Sequence, residues 1–448
     1  MQGRIKRLIL TCSALLAAAV VATPSQAIPA FARQAGKACN TCHFQHYPAL
    51  NEYGQEFKAG GFVDMGKQGT IKGKELSLPD VLNASVFTKI RYQKNSGRDL
   101  PGELTAASGE WQVPDEFALL FGGRVTENIG YMLEGQLANG AAPVLAGFKM
   151  PMMFKVGDTG AKAGVIPYTT DALGASYGFE LLNTGAVRNV RIMEHRNESS
   201  AQQYIGTATP AMGLAFVAWH PSFFVNFSKW SPNHAAVAEE RASGDPTSSY
   251  FRAAWTPTVG DWGLGIGYQK WGGTSRVDLT AGLPCAAVNP LATGVAGEVG
   301  ECRTEAWAFD VQAQGAVGGM PLGVYFTNAR APGTGVGQMP NLYNTNRNTE
   351  TASTITLELG IIPNKATLML AYRVANTGRP QALDVASGVM RGTNDNAWTV
   401  GGTYQFSQNV QLQLLSSNRS RDNGYQGSDT AFVARGRGLT TLMLSAGF

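Results

Sequence analysis

From about Leu82 to the C-terminus, apolar and polar residues alternate with a period of two, the signature of β-strands. In TITLELGI, Ile355, Leu357, Leu359 and Ile361 share one face, and Thr354, Thr356, Glu358 and Gly360 share the other. TLMLAYRV sets Leu368, Leu370, Tyr372 and Val374 against Thr367, Met369, Ala371 and Arg373. WTVGGTYQF sets Trp398, Val400, Tyr404 and Phe406 against Thr399, Thr403 and Gln405, and WGLGIGY sets Trp262, Leu264, Ile266 and Tyr268 against glycine.

Alternation fits a sandwich as well as a barrel, so the connections must decide. Pro363-Asn364-Lys365 and Ser407-Gln408-Asn409 are tight joints, whereas long polar stretches run over about Ala329 to Glu350, Ala375 to Asn394 and Asn418 to Gly436. Tight turns alternating with long loops is the pattern of a transmembrane β-barrel. The final TLMLSAGF closes on Phe448, with Ala446, Leu444 and Leu442 alternating behind it, and resembles the assembly signal of bacterial outer-membrane barrels. Trp255, Trp262, Trp271 and Trp398 suit interfacial girdles. The pattern accommodates about 16 strands, an even number as a single-chain bacterial barrel requires, enclosing an aqueous lumen. Val144 to Thr209 is poorly patterned and leaves the count open by about two; Met150, Met152 and Met153 there read as lipid-facing or lumen-filling.

The N-terminus adds an address. Arg4, Lys6 and Arg7 precede an apolar run from Leu8 to Ala22 that ends at Ser25-Gln26-Ala27, a secretory signal over residues 1–27 with cleavage expected after Ala27. After Ala22 no apolar run is long enough for a transmembrane helix. Losing the signal removes three positive charges and brings the net charge of +4 to about +1, which argues against a nucleic-acid partner. Among the five cysteines, Cys12 leaves with the signal. Cys285 and Cys302 are expected to form a disulfide in the oxidising compartment, at about 3 kcal/mol.

The remaining two cysteines carry the candidate chemistry. Cys39-Asn40-Thr41-Cys42-His43 has the spacing of a c-type haem attachment site, two thiols placed for the two vinyl groups and a histidine placed under the iron. Cys39 and Cys42 are expected as thioethers and His43 as an axial ligand of one covalently attached haem c. A zinc site is the alternative, and the lack of a second ligand pair counts against it.

The stretch IPAFARQAGKACNTCHFQHYPALNEYGQEFKAGGF resembles the N-terminal signature of the Cyc2 family, fused monohaem cytochrome–porins of the outer membrane; the likeness runs from Ile28 to about Gly66. The resemblance implies a small α-helical cytochrome domain over 28–66, a linker over 67–81 and a porin-like barrel over 82–448, with outer-membrane lipid around it. It also implies an Fe(II):cytochrome c oxidoreductase that takes electrons from extracellular Fe(II) and passes them to a periplasmic c-type cytochrome. A barrel suits that task, because the hydrocarbon layer of roughly 30 Å keeps a periplasmic haem from external iron. The cytochrome segment is expected to plug the lumen with one haem edge toward the outer mouth, stabilised by haem and wall because it is too small to fold alone.

For the distal position, His46 lies so close to His43 that on a helix both would share one face. Met65 follows the expected helix Pro48 to Ala59 and the breaker Gly60-Gly61, and is the candidate distal ligand; methionine would raise the potential. Water, His46 or another side chain are the alternatives. His195, His220 and His234 have no paired spacing and read as lumen or loop residues. Two other functions share the architecture: an electron conduit for a different donor, and a nutrient porin whose haem domain is structural.

Overall fold

The computed structural model describes residues 29–448 apart from 75, 98–105, 138–143, 187–191, 235–245, 280–282, 290–297, 380–381, 385–388, 392 and 420–435. The signal peptide, 1–27, lies outside the described residues.

Sixteen antiparallel strands close on themselves. They are β1 Ala84–Asn95, β2 Glu110–Arg124, β3 Gly130–Gln136, β4 Val144–Lys149, β5 Lys162–Thr170, β6 Ala211–His220, β7 Phe223–Ser231 and β8 Ser248–Trp255. They continue as β9 Trp262–Gly272, β10 Ala306–Val317, β11 Met320–Ala331, β12 Glu350–Ile362, β13 Ala366–Asn376, β14 Ala397–Ser407, β15 Val410–Arg419 and β16 Gly438–Gly447. Strand β4 resumes as Met152–Lys155 and β8 as Thr258–Val259. Each break falls at a proline, Pro151 or Pro257, which has no N–H to give to the ladder. Strand β16 pairs with β1, and Phe448 completes the seam by exchanging both backbone bonds with Val86, at 2.9 and 2.7 Å.

Seven connections of two to six residues lie at one end of the barrel, and the eight at the other end are longer, from seven to forty residues. The tight turns at Pro363-Asn364-Lys365 and Gln408-Asn409 belong to the first set. The expected linker contains a hairpin, Thr70–Gly73 with Leu76–Pro79, whose Ser77 accepts from the Arg124 guanidinium at 2.6 Å.

The two faces of each strand are inverted relative to a soluble protein. Ile355, Leu368, Leu370, Tyr372 and Trp398 are exposed, while Thr354, Thr356, Glu358, Arg373 and Thr399 are buried. In hydrocarbon every backbone polar group must be paired within the protein, which closure achieves, and the apolar faces are left for lipid. Trp255 and Trp398 are exposed near strand ends as expected. Trp271 is not a girdle residue: it is fully buried, 5.1 Å from the Tyr250 ring and 6.3 Å from Tyr343, because its position in β9 points inward.

Much of the poorly patterned stretch is a connection. The described residues of 171–210, between β5 and β6, fold into the lumen and are pinned to the wall by ion pairs. Arg252 of β8 reaches Glu180 at 2.8 Å and Asp310 of β10 at 2.5 Å. Arg91 of β1 holds Glu194 at 2.8 Å, and Arg373 of β13 holds Glu198 at 3.2 Å. The glycines of WGLGIGY serve this loop: a Cβ on Gly265 would stand 2.6 Å from Leu182, and one on Gly267 would collide with Arg252. His195 donates or accepts at Ser417 (2.5 Å) and Thr441 (2.8 Å), bridging the loop to β15 and β16. Met153 is buried beneath Gly61, a lumen-filling role.

In the long connection between β9 and β10, Cys285 and Cys302 are bonded, with Cα atoms 6.1 Å apart. Peptide mapping without reduction is expected to recover them as one cross-linked pair; alkylation of both thiols in unreduced protein would disprove the bond. Replacing Arg252 with Ala should leave Glu180 and Asp310 uncompensated and cost about 3–5 kcal/mol. The check is a lower temperature for the shift from folded to unfolded gel mobility, and an unchanged transition would contradict the assignment.

Candidate functional site

Residues 29–66 lie inside the turn end of the barrel. Helix α1 (Pro29–Ala35), the single turn α2 (Cys39–Cys42) and helix α3 (Glu52–Ala59) make up this segment. Asn51 caps α3 by accepting from Gly54 N–H at 3.0 Å, so the helix begins later than the expected Pro48. Gly54 is required where it stands, since a Cβ there would run into the carbonyl of Cys42. The helix thus packs directly on the backbone of the CNTCH motif.

Between α2 and α3 the chain is not helical. His43 is extended and bridges back to Leu50, and Gln45 turns the chain at φ 65°. That excursion fastens the segment to the wall. Gln45 donates to the Pro321 carbonyl at 3.0 Å, and Tyr47 donates to the Ser445 carbonyl at 2.9 Å. On the far side Glu52 accepts from Thr258 at 2.8 Å, and near the start of the segment the Cys39 N–H donates to Gln408 at 2.9 Å. Gln34 links α1 to the strap after α3 through the Phe62 and Asp64 carbonyls, at 2.7 and 2.8 Å.

Between this floor and the inward loop is a cavity of about 220 Å³. Cys39, Cys42 and His43 all line it, so the structure brings together the three residues singled out by spacing. Its floor includes Phe31 and Phe62, stacked at 4.8 Å, and Phe57; its roof includes Leu173, Tyr177, Leu181 and Leu182; its walls come from β1 to β4, β15 and β16. The loop is joined to the floor as well as the wall: Asn183 accepts from the Leu50 N–H at 2.8 Å and donates to its carbonyl at 2.9 Å.

The imidazole of His43 is poised as a ligand. Its Nδ1 lies 3.2 Å from the Ala49 carbonyl, which calls for the proton on Nδ1 and leaves the Nε2 lone pair. Burial holds the ring at about 4, against the weaker opposing pull of that carbonyl, so it is neutral near pH 7. Burial pushes the Cys42 thiol up to about 11. Lys58 of α3 also lines the cavity, and burial pulls it down to about 8 despite the opposing charge of Glu180.

The two candidate distal residues are elsewhere. Met65 does not line the cavity; it sits half-buried in the strap, where Gly66 N–H donates to Gln34 O at 2.9 Å. His46 points away into the wall. Its Nε2 is 3.0 Å from Glu358 Oε1 of β12 and its Nδ1 2.7 Å from the Tyr47 carbonyl, so both ring nitrogens are engaged. The separation of His46 from the cavity comes from the turn at Gln45, where a shared helix face was the expected reason. Sequence reasoning missed the roof of the site altogether. His220 stacks on Phe223 at the turn end, and His234 bridges Thr169 and the Leu145 carbonyl, as ordinary loop residues.

No family model and no curated protein matches this chain in sequence. Solved structures do match in fold. OprB of Pseudomonas putida is 9% identical with a TM-score of 0.51, over 82% of this chain and 93% of that one. The outer membrane channel DcaP of Acinetobacter baumannii is 12% identical (TM-score 0.48, 85% and 100% of the chains), and OmpT, an outer membrane protein of Vibrio cholerae, is 12% identical (TM-score 0.42, 85% and 99%). At such identities the likeness is one of fold, carried by the OprB match. The closed barrel makes this an outer-membrane, multi-pass β-barrel protein. Its short turns are therefore periplasmic and its long loops extracellular, which places CNTCH toward the periplasmic end of the lumen.

The His46–Glu358 pair yields a test. Burial lowers a histidine, but the Glu358 carboxylate outweighs it and the net shift of His46 is upward. Its stabilising contribution is therefore complete below the ordinary value of about 6.5 and is lost as pH rises through the raised folded value. Proteolysis of residues 29–66 in the intact barrel should accelerate over that rise, and His46→Ala should cost about 3–5 kcal/mol by stranding Glu358. Cleavage independent of both pH and the substitution would refute the pairing.

Proposed function

We propose that the chain is an outer-membrane Fe(II):cytochrome c oxidoreductase built around one covalent haem c, as its resemblance to the Cyc2 family implies. The observation that supports this reading is that both thiols and the imidazole of CNTCH line one largely apolar cavity inside the barrel. Bound there, haem c supplies an iron centre that exchanges one electron at a time. Cys39 and Cys42 would attach it through thioethers. His43 offers Nε2, with the Ala49 carbonyl fixing ring orientation and tautomer. Phe31, Phe57, Phe62, Leu120, Leu181 and Leu182 exclude water around it.

The position of the site between roof and floor suits electron transfer better than passage of a solute. A solute needs a continuous aqueous path, whereas loop 171–210 and residues 29–66 both occupy the lumen. An electron needs only proximity through packed protein. On this reading each extracellular Fe(II) gives up one electron on the loop side and becomes Fe(III), and a periplasmic c-type cytochrome takes one electron on the turn side; no atom or proton is transferred.

Purified protein should carry one covalent haem that is lost in Cys42→Ser, and rapid mixing with Fe(II) should give the absorbance of the reduced form. Protein without covalent haem would leave the nutrient-porin alternative. Haem reduced by other donors and not by Fe(II) would make the protein a conduit for one of those donors.

A further inference from the structure

The cavity has a second chemical feature. Lys58 of α3 and Lys149 of β4 both line it. Among the described residues the Lys58 amine has no hydrogen-bond or ion-pair partner within bonding distance, and the side chain is half-buried. Lys149 is 4% exposed and gives one hydrogen bond, to the Tyr177 carbonyl at 3.0 Å; its amine also stands 4.3 Å from the centre of the Tyr177 ring. Two ammonium groups in a desolvated space cost several kcal/mol each unless anions meet them. Two other cations of the lumen wall meet carboxylates: Lys89 has Glu116 at 2.7 Å, and Arg91 has Asp115 and Glu194. Among the described residues neither Lys58 nor Lys149 has a carboxylate within ion-pair distance, and Glu180 acts on Lys58 only from further off.

Cys39 and Lys149 stand at different parts of the barrel's circumference. Cys39 is tied to Gln408 in the turn before β15, and Lys149 is on β4, five strands further round. A haem c has the same polarity, with its thioether carbons on one edge and its two propionate carboxylates on the opposite edge. We propose that Lys58 and Lys149 form the carboxylate-binding end of the cavity and hold the two haem propionates. This inference rests on the haem reading above and adds which way the group lies: thioether edge at the β14–β15 turn, propionates toward α3 and β4. The lysines act as positioning and charge-compensating residues, not as iron ligands. With both charges beside it the reduced form is favoured, the direction required of an Fe(II) acceptor.

The test uses the intact holoprotein carrying Lys58→Gln, Lys149→Gln, Lys58→Arg or Lys37→Gln. Lys37 lines the cavity on the cysteine side, is exposed and rests on the Tyr53 ring, so it serves as a control. Folding is checked by heat-modifiable mobility and haem content by covalent staining. The readouts are the midpoint potential and the carboxylate stretching bands in the redox-difference infrared spectrum. Both Gln variants should keep their haem, lower the potential and shift the carboxylate bands; Lys58→Arg should restore both, and Lys37→Gln should leave the bands in place. Unmoved bands and potential in haem-loaded Lys58→Gln and Lys149→Gln would overturn the assignment while leaving the haem reading intact. A changed ligand-field spectrum in Lys58→Gln would also overturn it, by making Lys58 an iron ligand. Wild-type protein that carries no haem would remove both readings together.

Discussion

Three wall arginines, Arg91, Arg252 and Arg373, each hold a glutamate of the inward loop between β5 and β6, and the interior of the barrel is arranged around those pairs. A barrel of this strand number leaves an aqueous lumen unless something fills it. The loop fills it from one side by carrying Glu180, Glu194 and Glu198 to charges already fixed on β8, β1 and β13. Breaking such a pair strands the other charge, so the loop cannot shift without losing several at once. Its underside becomes a fixed ceiling, and residues 29–66 a floor tied to it through Asn183 and Leu50. The cavity is the gap that remains.

The strands were legible because lipid and lumen impose opposite chemistry on alternate residues, and alternation survives in the sequence whichever face is outward. Period alone does not say that Thr354, Thr356 and Glu358 are the buried set; the connections do, by marking a barrel that must face hydrocarbon. The loop was illegible for a related reason. Glu180, Glu194 and Glu198 meet arginines 72, 103 and 175 residues away, and nothing periodic in the sequence records such pairings. The glycines opposite Leu264 and Ile266 were visible as an anomaly, and their cause is the approach of Leu182 from that loop and of the Arg252 guanidinium from the neighbouring strand β8.

At the site, the covalent spacing of Cys39, Cys42 and His43 was readable because it is local, and the surroundings were not. His46 follows His43 by a single helical turn's worth of sequence, yet Gln45 at positive φ sends it to Glu358, a partner on β12. Met65 had the chain length to return over the motif, but Gln34 holds its segment against α1 through three backbone contacts instead, at Phe62, Asp64 and Gly66. In both cases a buried polar side chain with a fixed long-range partner decided the path.

The size of the N-terminal segment also explains why the cavity is shared. Fewer than about 40 residues cannot enclose much apolar volume, and Phe31, Phe57 and Phe62 spend most of theirs on one another. The remaining apolar surface is completed by Leu120 of β2, Met132 of β3 and Leu181 and Leu182 of the loop. A group held by Cys39 and Cys42 would therefore be walled in large part by residues more than 75 positions away in the chain. On the proposed reading motif and barrel form one site, the motif supplying the attachment and the barrel the dry, charged enclosure around it.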